Sequence, residues 1–192
     1  FKTSAELFNN PFLFPQDPVL ANFGTAFLQG NMLVFFRNTI FISGVSLLFI
    51  ISLSCLAAYA ITRRGFRWSG LIYGFFVFGI LIPAMGLMVP TYMMMARLSL
   101  VNTQWSVILI YIATSLPFSI FILSGFFRTI PAELDEAAMI DGCGEMQAFV
   151  WVILPLCKPA ISTIFILNLL AIWNDFFNPL LFIRSEELKT IS

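Results

Sequence analysis

The sequence predicts an all-α, polytopic transmembrane helical bundle, and two observations lead to this fold class. Hydrophobic residues make up 59% of the 192 residues and charged residues only 10%, whereas a soluble domain carries about 25% charged residues. The charges are also unevenly placed, because three long apolar runs contain none and a fourth contains only Asp175. The helices of a soluble core would instead show a polar stripe at the helical period, and these runs carry only scattered small polar residues.

Four apolar runs are long enough to cross a bilayer, since about 20 helical residues span its hydrocarbon core. The predicted spans are about 38–62, 68–96, 98–127 and 159–183, which together make residues 38–183 a single transmembrane domain. Residues 1–37 are rich in turn-forming Asn and Pro, so they are predicted to be an external segment and not a signal peptide. Residues 184–192 are predicted to begin another external loop.

The orientation of the spans follows from an arginine cluster. Arg63, Arg64 and Arg67 crowd the short link between the first two spans, and short basic loops face the cytoplasm. The remaining loops then alternate, with 97–103 outside and 128–158 inside.

The long inside loop is predicted to form a helix–turn–helix elbow over residues 129–156, lying at the membrane surface. Thr129 is expected to cap the first helix, with Pro131 in its first turn, and this helix should run to about Ile140. Gly142 and Gly144 then break it, because glycine readily adopts the backbone conformations that terminate a helix.

A second elbow helix is expected over residues 145–154, with Pro155 ending it. In the first helix, Glu133, Asp135 and Glu136 lie near the N-terminus, where the helix dipole favours acids. Small side chains on one face would let a partner approach closely, and an ordinary interfacial helix explains the same residues equally well. The residues that share this face by three- and four-residue spacing are Leu134, Ala137, Ala138 and Asp141.

Prolines and polar residues within the spans are candidates for a solute path. A proline kinks a helix and frees a carbonyl, and broken helices at mid-membrane often border a path, although a kink can also serve packing alone. An ionisable residue in a span is costly and suggests function, with a gate or a packing role equally open near an interface. The candidates are Pro83, Pro90, Pro117, Asn174 and Asp175. The methionines between residues 85 and 95 are interpreted as packing.

The elbow carries the spaced pattern Glu136-Ala137-Ala138, Gly142 and Ile153-Leu154-Pro155. This pattern resembles the cytoplasmic loop of binding-protein-dependent ABC importer permeases. Motifs elsewhere are similar to the carbohydrate branch, and in particular to the second permease of maltose- and glycerol-phosphate-type systems. These motifs include Leu81-Ile82-Pro83, Pro90-Thr91-Tyr92, Leu116-Pro117-Phe118 and Trp173-Asn174-Asp175-Phe176. The family has six spans, so the first and last are expected to be absent from this chain.

The resemblance implies a type I ABC importer membrane domain that forms part of a path for a sugar or related solute. It implies docking of the elbow on a separate ATPase through Glu133, Glu136, Ala137, Ala138, Asp141, Gly142 and Pro155. The implied partners are a second homologous permease, two copies of the ATPase subunit, an extracytoplasmic solute-binding protein and membrane lipid. The implied location is the cytoplasmic membrane of a bacterium or archaeon.

Several functions are disfavoured by the residues themselves. The chain has no phosphate-loop sequence, so we expect it to hold no cofactor and any ATP and magnesium to bind a partner ATPase. A net charge of zero argues against nucleic acid as a partner. With no His and one acid within a span, we expect no catalytic residues and no metal site. A channel or secondary carrier for a small polar solute remains the alternative.

Overall fold

The computed structural model describes residues 2, 4–9, 12–15, 20, 21, 24, 27, 30–64 and 66–192. All regular secondary structure in these residues is helical, which confirms the all-α fold class. Part of the segment 1–37, predicted to be external, lies outside the described residues.

The helices are numbered here in chain order. Their bounds are α1 (Ser4–Asn9), α2 (Met32–Arg63), α3 (Ser69–Ile80), α4 (Met88–Arg97), α5 (Gln104–Phe127), α6 (Glu133–Ile140), α7 (Glu145–Leu156), α8 (Lys158–Trp173) and α9 (Phe177–Phe182). Helices α2 and α5, of 32 and 24 residues, are each long and apolar enough to cross a membrane. Two bent pairs, α3 with α4 and α7 with α8, bring the number of candidate spans in the described residues to at most four.

Helices α2 and α5 pack along each other and form the centre of the bundle. Fully buried small residues on α2, namely Ser46, Ser54 and Ala58, allow this close approach. One cluster of buried side chains, around Tyr59 and Phe127, fills the end of the bundle next to α6 and α7. We call this end of the bundle the elbow end. A second cluster fills the opposite end.

The predicted span 68–96 is not one helix, because the chain breaks at Pro83. Helix α3 ends at Ile80, Pro83 has an extended backbone, and a 3₁₀ turn (Ala84–Leu87) leads into α4. The two halves of this pair are bent by 90°. Pro90 causes no kink of its own, since it lies in the first turn of α4, where a helix needs no backbone N–H donor. Pro117 lies inside α5, which continues through it.

The predicted span 159–183 is also interrupted. Helix α8 ends at Trp173, and a separate short helix, α9, follows. At the other end of α8, where it follows α7, the two helices meet at an angle of 73°.

Two predictions about the ends of the elbow helices are wrong. Thr129 does not cap α6, because this helix begins at Glu133 after Ala132, and the Thr129 hydroxyl donates instead to the Phe126 carbonyl. Pro155 does not end α7, which continues to Leu156. Because Pro155 has no N–H for the usual helical bond, the residues before it, Phe149–Ile153, wind as a π-helix.

Candidate functional site

The elbow turns at Gly142. This residue has a φ of 87°, in the left-handed region where glycine carries no steric penalty. The Cys143 N–H bonds to the Ala138 carbonyl at 2.9 Å and closes the end of α6. Helix α7 then begins with half of a capping box, in which the Gln147 side-chain oxygen accepts from the Gly144 N–H at 2.8 Å. The turn therefore depends on a backbone conformation that other residues rarely adopt.

Two adjacent arginines at the end of α2 contact the two halves of the elbow. Arg63 lies 3.3 Å from the carboxylate of Asp135 on α6, and both side chains are nearly buried. Arg64 pairs with Glu145 at the start of α7, where both side chains are about half exposed. The hydrogen bond from Arg64 to Glu145 raises the pKa of the Arg64 guanidinium. In the sequence these arginines indicate only the orientation of the spans, and no pattern there predicts the acids that they contact.

The structure corrects the predicted open face of α6. Leu134, Ala137 and Asp141 are exposed as predicted, but Ala138 is only 6% exposed and lies on the buried side with Asp135. Of the other predicted contact residues, Glu133, Glu136, Gly142 and Pro155 are exposed.

Apolar residues complete the exposed surface of the elbow. Ile140 is 85% exposed, Met139 next to it in sequence is 47% exposed, and Met146 is 63% exposed. These three side chains are not among the predicted contact residues, although large apolar residues in a charged surface loop are a recognisable signal for a partner.

A cavity of about 700 Å³ lies between α3, α4, α5 and α9. Its wall is mostly apolar, and Thr91, Thr114, Asp175 and Asn178 contribute polar groups. The methionines interpreted as packing also contribute to this wall: Met85, Met88, Met94 and Met95.

The candidate path residues divide between the cavity wall and other places. Pro117 and Asp175 line the cavity, whereas Pro83, Pro90 and Asn174 do not. Asn174 is exposed, and its side chain bonds to the Leu170 carbonyl within its own helix.

The Asp175 carboxylate organises the break between α8 and α9. One oxygen accepts from Tyr111 and from the Asn178 side chain, at 2.8 and 2.7 Å. The other accepts from the Phe177 and Asn178 N–H groups, at 3.0 and 3.4 Å, in the manner of a helix N-cap. With its lone pairs occupied by four donors, this carboxylate positions structure and is not a free anion facing the cavity.

Gly79 brings α3 against α5 at the cavity. A Cβ atom at this position would lie 3.3 Å from Cγ of Pro117, which is tighter than ordinary van der Waals contact. The two helices therefore approach closely at the cavity wall where Gly79 has no side chain, a contact that the sequence pattern does not reveal.

The end of the bundle opposite the elbow is closed by polar contacts to the chain after α9. Asn102, in a left-handed backbone conformation with a φ of 64°, accepts from the N–H groups of Arg184 and Ser185 at 2.9 and 2.8 Å. Asn38, near the start of α2, donates to the carbonyls of Glu187 and Lys189 at 2.7 and 3.0 Å. The segment 184–192, predicted as an external loop, is thus tied to both α2 and the turn before α5.

Comparison with known proteins gives a consistent set of matches. Residues 50–190 match the family described as binding-protein-dependent transport system inner membrane component. A melibiose/raffinose/stachyose import permease of Bacillus subtilis is 35% identical over 186 residues, which are 96% of this chain and 67% of that protein. A diacetylchitobiose uptake system permease of Streptomyces coelicolor is 34% identical over 93% of this chain and 59% of that protein.

A solved structure also matches. It is the crystal structure of a bacterial ABC transporter involved in the import of the acidic polysaccharide alginate, with a TM-score of 0.83 and 26% identity. The match covers 92% of this chain and 62% of the chain in that structure. The chain spans less than two thirds of the full length of the diacetylchitobiose permease and of the chain in this structure.

Proposed function

The chain belongs to the family of binding-protein-dependent transport system inner membrane components, and from this premise we propose that it is a permease subunit of an ATP-driven sugar importer. The observation that carries the proposal is the similarity to sugar-import permeases over nearly the whole chain. The proposed location is the cytoplasmic membrane of a bacterium or archaeon, in a complex with a second homologous permease.

The elbow is the proposed contact with an ATPase subunit. The complex would contain two ATPase subunits, and each permease would contact one of them through its own elbow. Exposed acids on α6, including Glu133 and Glu136, offer charge at a helix N-terminus. The small side chain of Ala137 permits close approach, and the 85% exposed Ile140 favours burial against a partner. ATP and magnesium would bind the ATPase, and closure of the two ATPases would move the elbows. A channel or secondary carrier would have no need for this surface.

The 700 Å³ cavity is the proposed section of the solute path in this subunit. Thr91, Thr114 and Asn178 provide groups that can exchange hydrogen bonds with sugar hydroxyls, and the methionine side chains adapt to different solute shapes. The path would be completed by the partner permease, and a solute-binding protein would deliver the sugar at the end opposite the elbow.

Reconstitution of the complex tests the proposal. The protein, co-expressed with its partner permease and ATPase, is placed in vesicles, and uptake of labelled oligosaccharides is measured with ATP inside and binding protein outside. We expect uptake to require both. The control is the same complex with an ATPase variant that cannot hydrolyse ATP. Uptake down a gradient without ATP would identify a channel or secondary carrier and overturn the proposal.

A further inference from the structure

We propose that Arg63 is a positioning residue that couples the elbow to helix α2, with Asp135 as its partner on the elbow. This inference rests on the proposed function, because it describes how movement of the elbow reaches the membrane helices. It concerns a residue that touches neither ATP nor solute. Its role follows from the three elements that a single guanidinium holds together.

The first two elements are α2 and α5. Arg63 is the last residue of α2, and its Nη2 donates to the carbonyls of Phe127 and Ile130 at 3.0 and 2.6 Å. These carbonyls lie at and just beyond the C-terminus of α5, where a helix leaves its acceptors unpaired and its dipole favours a cation. The end of α5 is thereby fixed to the end of α2.

The third element is the elbow itself. Nη1 of Arg63 lies 3.3 Å from Oδ2 of Asp135, which is in the first turn of α6, where the helix dipole favours an acid. The two side chains are only 11% and 12% exposed, so water and salt screen the pair weakly. Separating them would leave an uncompensated charge in a buried site. The elbow and the ends of α2 and α5 should therefore move together.

Aromatic packing supports the same connection. Tyr59 lies one turn before Arg63 on α2, with its ring centroid 4.6 Å from that of Phe149 in α7 and 6.3 Å from that of Phe127 in α5. Residues four apart share a helix face. One face of α2 thus carries both an ionic and an aromatic contact to the elbow end.

Helix α2 can carry the movement across the bundle because it is continuous for 32 residues. At its other end, Asn38 holds the backbone of Glu187 and Lys189, and Thr39 accepts from the Ile191 N–H at 3.0 Å. The same segment reaches the break after α8, where the Ser192 hydroxyl donates to the Asp175 carbonyl at 2.9 Å. Movement of the elbow would therefore reach the segment beside Asp175 through α2.

The neighbouring pair supplies a matched control. Arg64 and Glu145 also join α2 to the elbow, but their side chains are 42% and 53% exposed, and exposed ion pairs contribute little. Neutralising Arg64 should leave coupling nearly intact, although it removes the same charge one residue away.

The experiment compares Arg63→Gln, Asp135→Asn, the double variant and Arg64→Gln in the complete transporter. Solute uptake and ATP hydrolysis are measured in the same vesicles, which yields uptake per ATP, together with the stimulation of hydrolysis by the binding protein. We expect each Arg63 or Asp135 single variant to lower uptake per ATP about tenfold, within the range of coupling between protein sites. Arg64→Gln should stay close to the wild type.

The double variant decides whether the two residues act as a pair. If they do, it should be no worse than either single variant, since effects of interacting residues are not additive. The double variant leaves no unpaired charge, so it should also assemble where a single variant does not. Additive losses, normal uptake per ATP in the double variant, or an equal loss in Arg64→Gln would overturn the inference. Uptake without ATP in the wild type would instead contradict the proposed function itself.

Discussion

The hydroxyl of Tyr111 donates a hydrogen bond of 2.8 Å to the carboxylate of Asp175 and so ties α5 to the break between α8 and α9. Tyr111 is 5% exposed, so this contact is largely shielded from water. It joins the two elements that form one side of the cavity. An acid interpreted from sequence as a candidate for a solute path is therefore first a structural anchor, and the solute path would run beside it.

The first prediction concerns this anchor. Tyr111→Phe should lower the midpoint of thermal unfolding in detergent, because losing a hydrogen bond to a charged group costs about 1.5–3 kcal/mol. Asp175→Ala should lower it further, since it removes the acceptor for all four donors. The control is Asn174→Ala, which loses a single bond to its own helix and should have little effect. Equal stability of all three variants would contradict the anchoring role.

The second prediction concerns the contact between α3 and α5. Gly79→Ala should be about 1 kcal/mol less stable than Gly74→Ala, because its Cβ would press on Pro117, and overpacking carries a cost of this order that offsets the gain in helix propensity. Gly74→Ala, also in α3, is the matched control, since its Cβ would meet nothing within 4 Å. Thermal unfolding of both variants in detergent provides the measurement. Equal stability of the two variants would mean that the two helices separate easily.

The sequence could predict the long helices but not the places where the chain breaks. Charge-free runs of 20 or more residues have few alternatives to a span, and α2 and α5 follow from them. A proline, by contrast, has different effects at different helix positions. Pro83 precedes a break, Pro90 lies in a first turn and Pro117 remains inside a continuous helix. Tertiary packing decides among these outcomes.

The same limit applies to the elbow. Helical spacing places Ala138 with the exposed residues of α6, and it does not reveal that Ala138 is buried where α6 packs against α7. The arginine cluster is recognisable in the sequence as an orientation signal. Its contacts with the carbonyls of Phe127 and Ile130 join positions 64 and 67 residues apart, and no local pattern reports contacts of that range.

The third prediction separates the two alanines of the elbow. In a version with the three native cysteines replaced, a cysteine at Ala137 should crosslink to the ATPase subunit. A cysteine at Ala138 should not, because this position is 6% exposed and faces its own chain. The variant at Ala138 is thus the control, because this residue is adjacent in sequence but does not face the ATPase. Crosslinking from Ala138 alone would place the contact on the opposite side of α6.

The fourth prediction concerns the turn of the elbow. Gly142→Pro should leave the spans inserted but abolish transport and solute-stimulated ATP hydrolysis, because proline cannot adopt the φ of 87° found here. Gly142→Ala should have a weaker effect, since a left-handed conformation costs an alanine about 1–2 kcal/mol.

Gly144→Ala is the matched control two residues away. Its φ of −69° suits any residue, and its Cβ would meet only Gln147 Oε1, at an ordinary 3.6 Å. Uptake and ATP hydrolysis in reconstituted vesicles distinguish the three variants. Normal coupling in Gly142→Pro would show that the shape of the elbow does not matter for the transfer of movement.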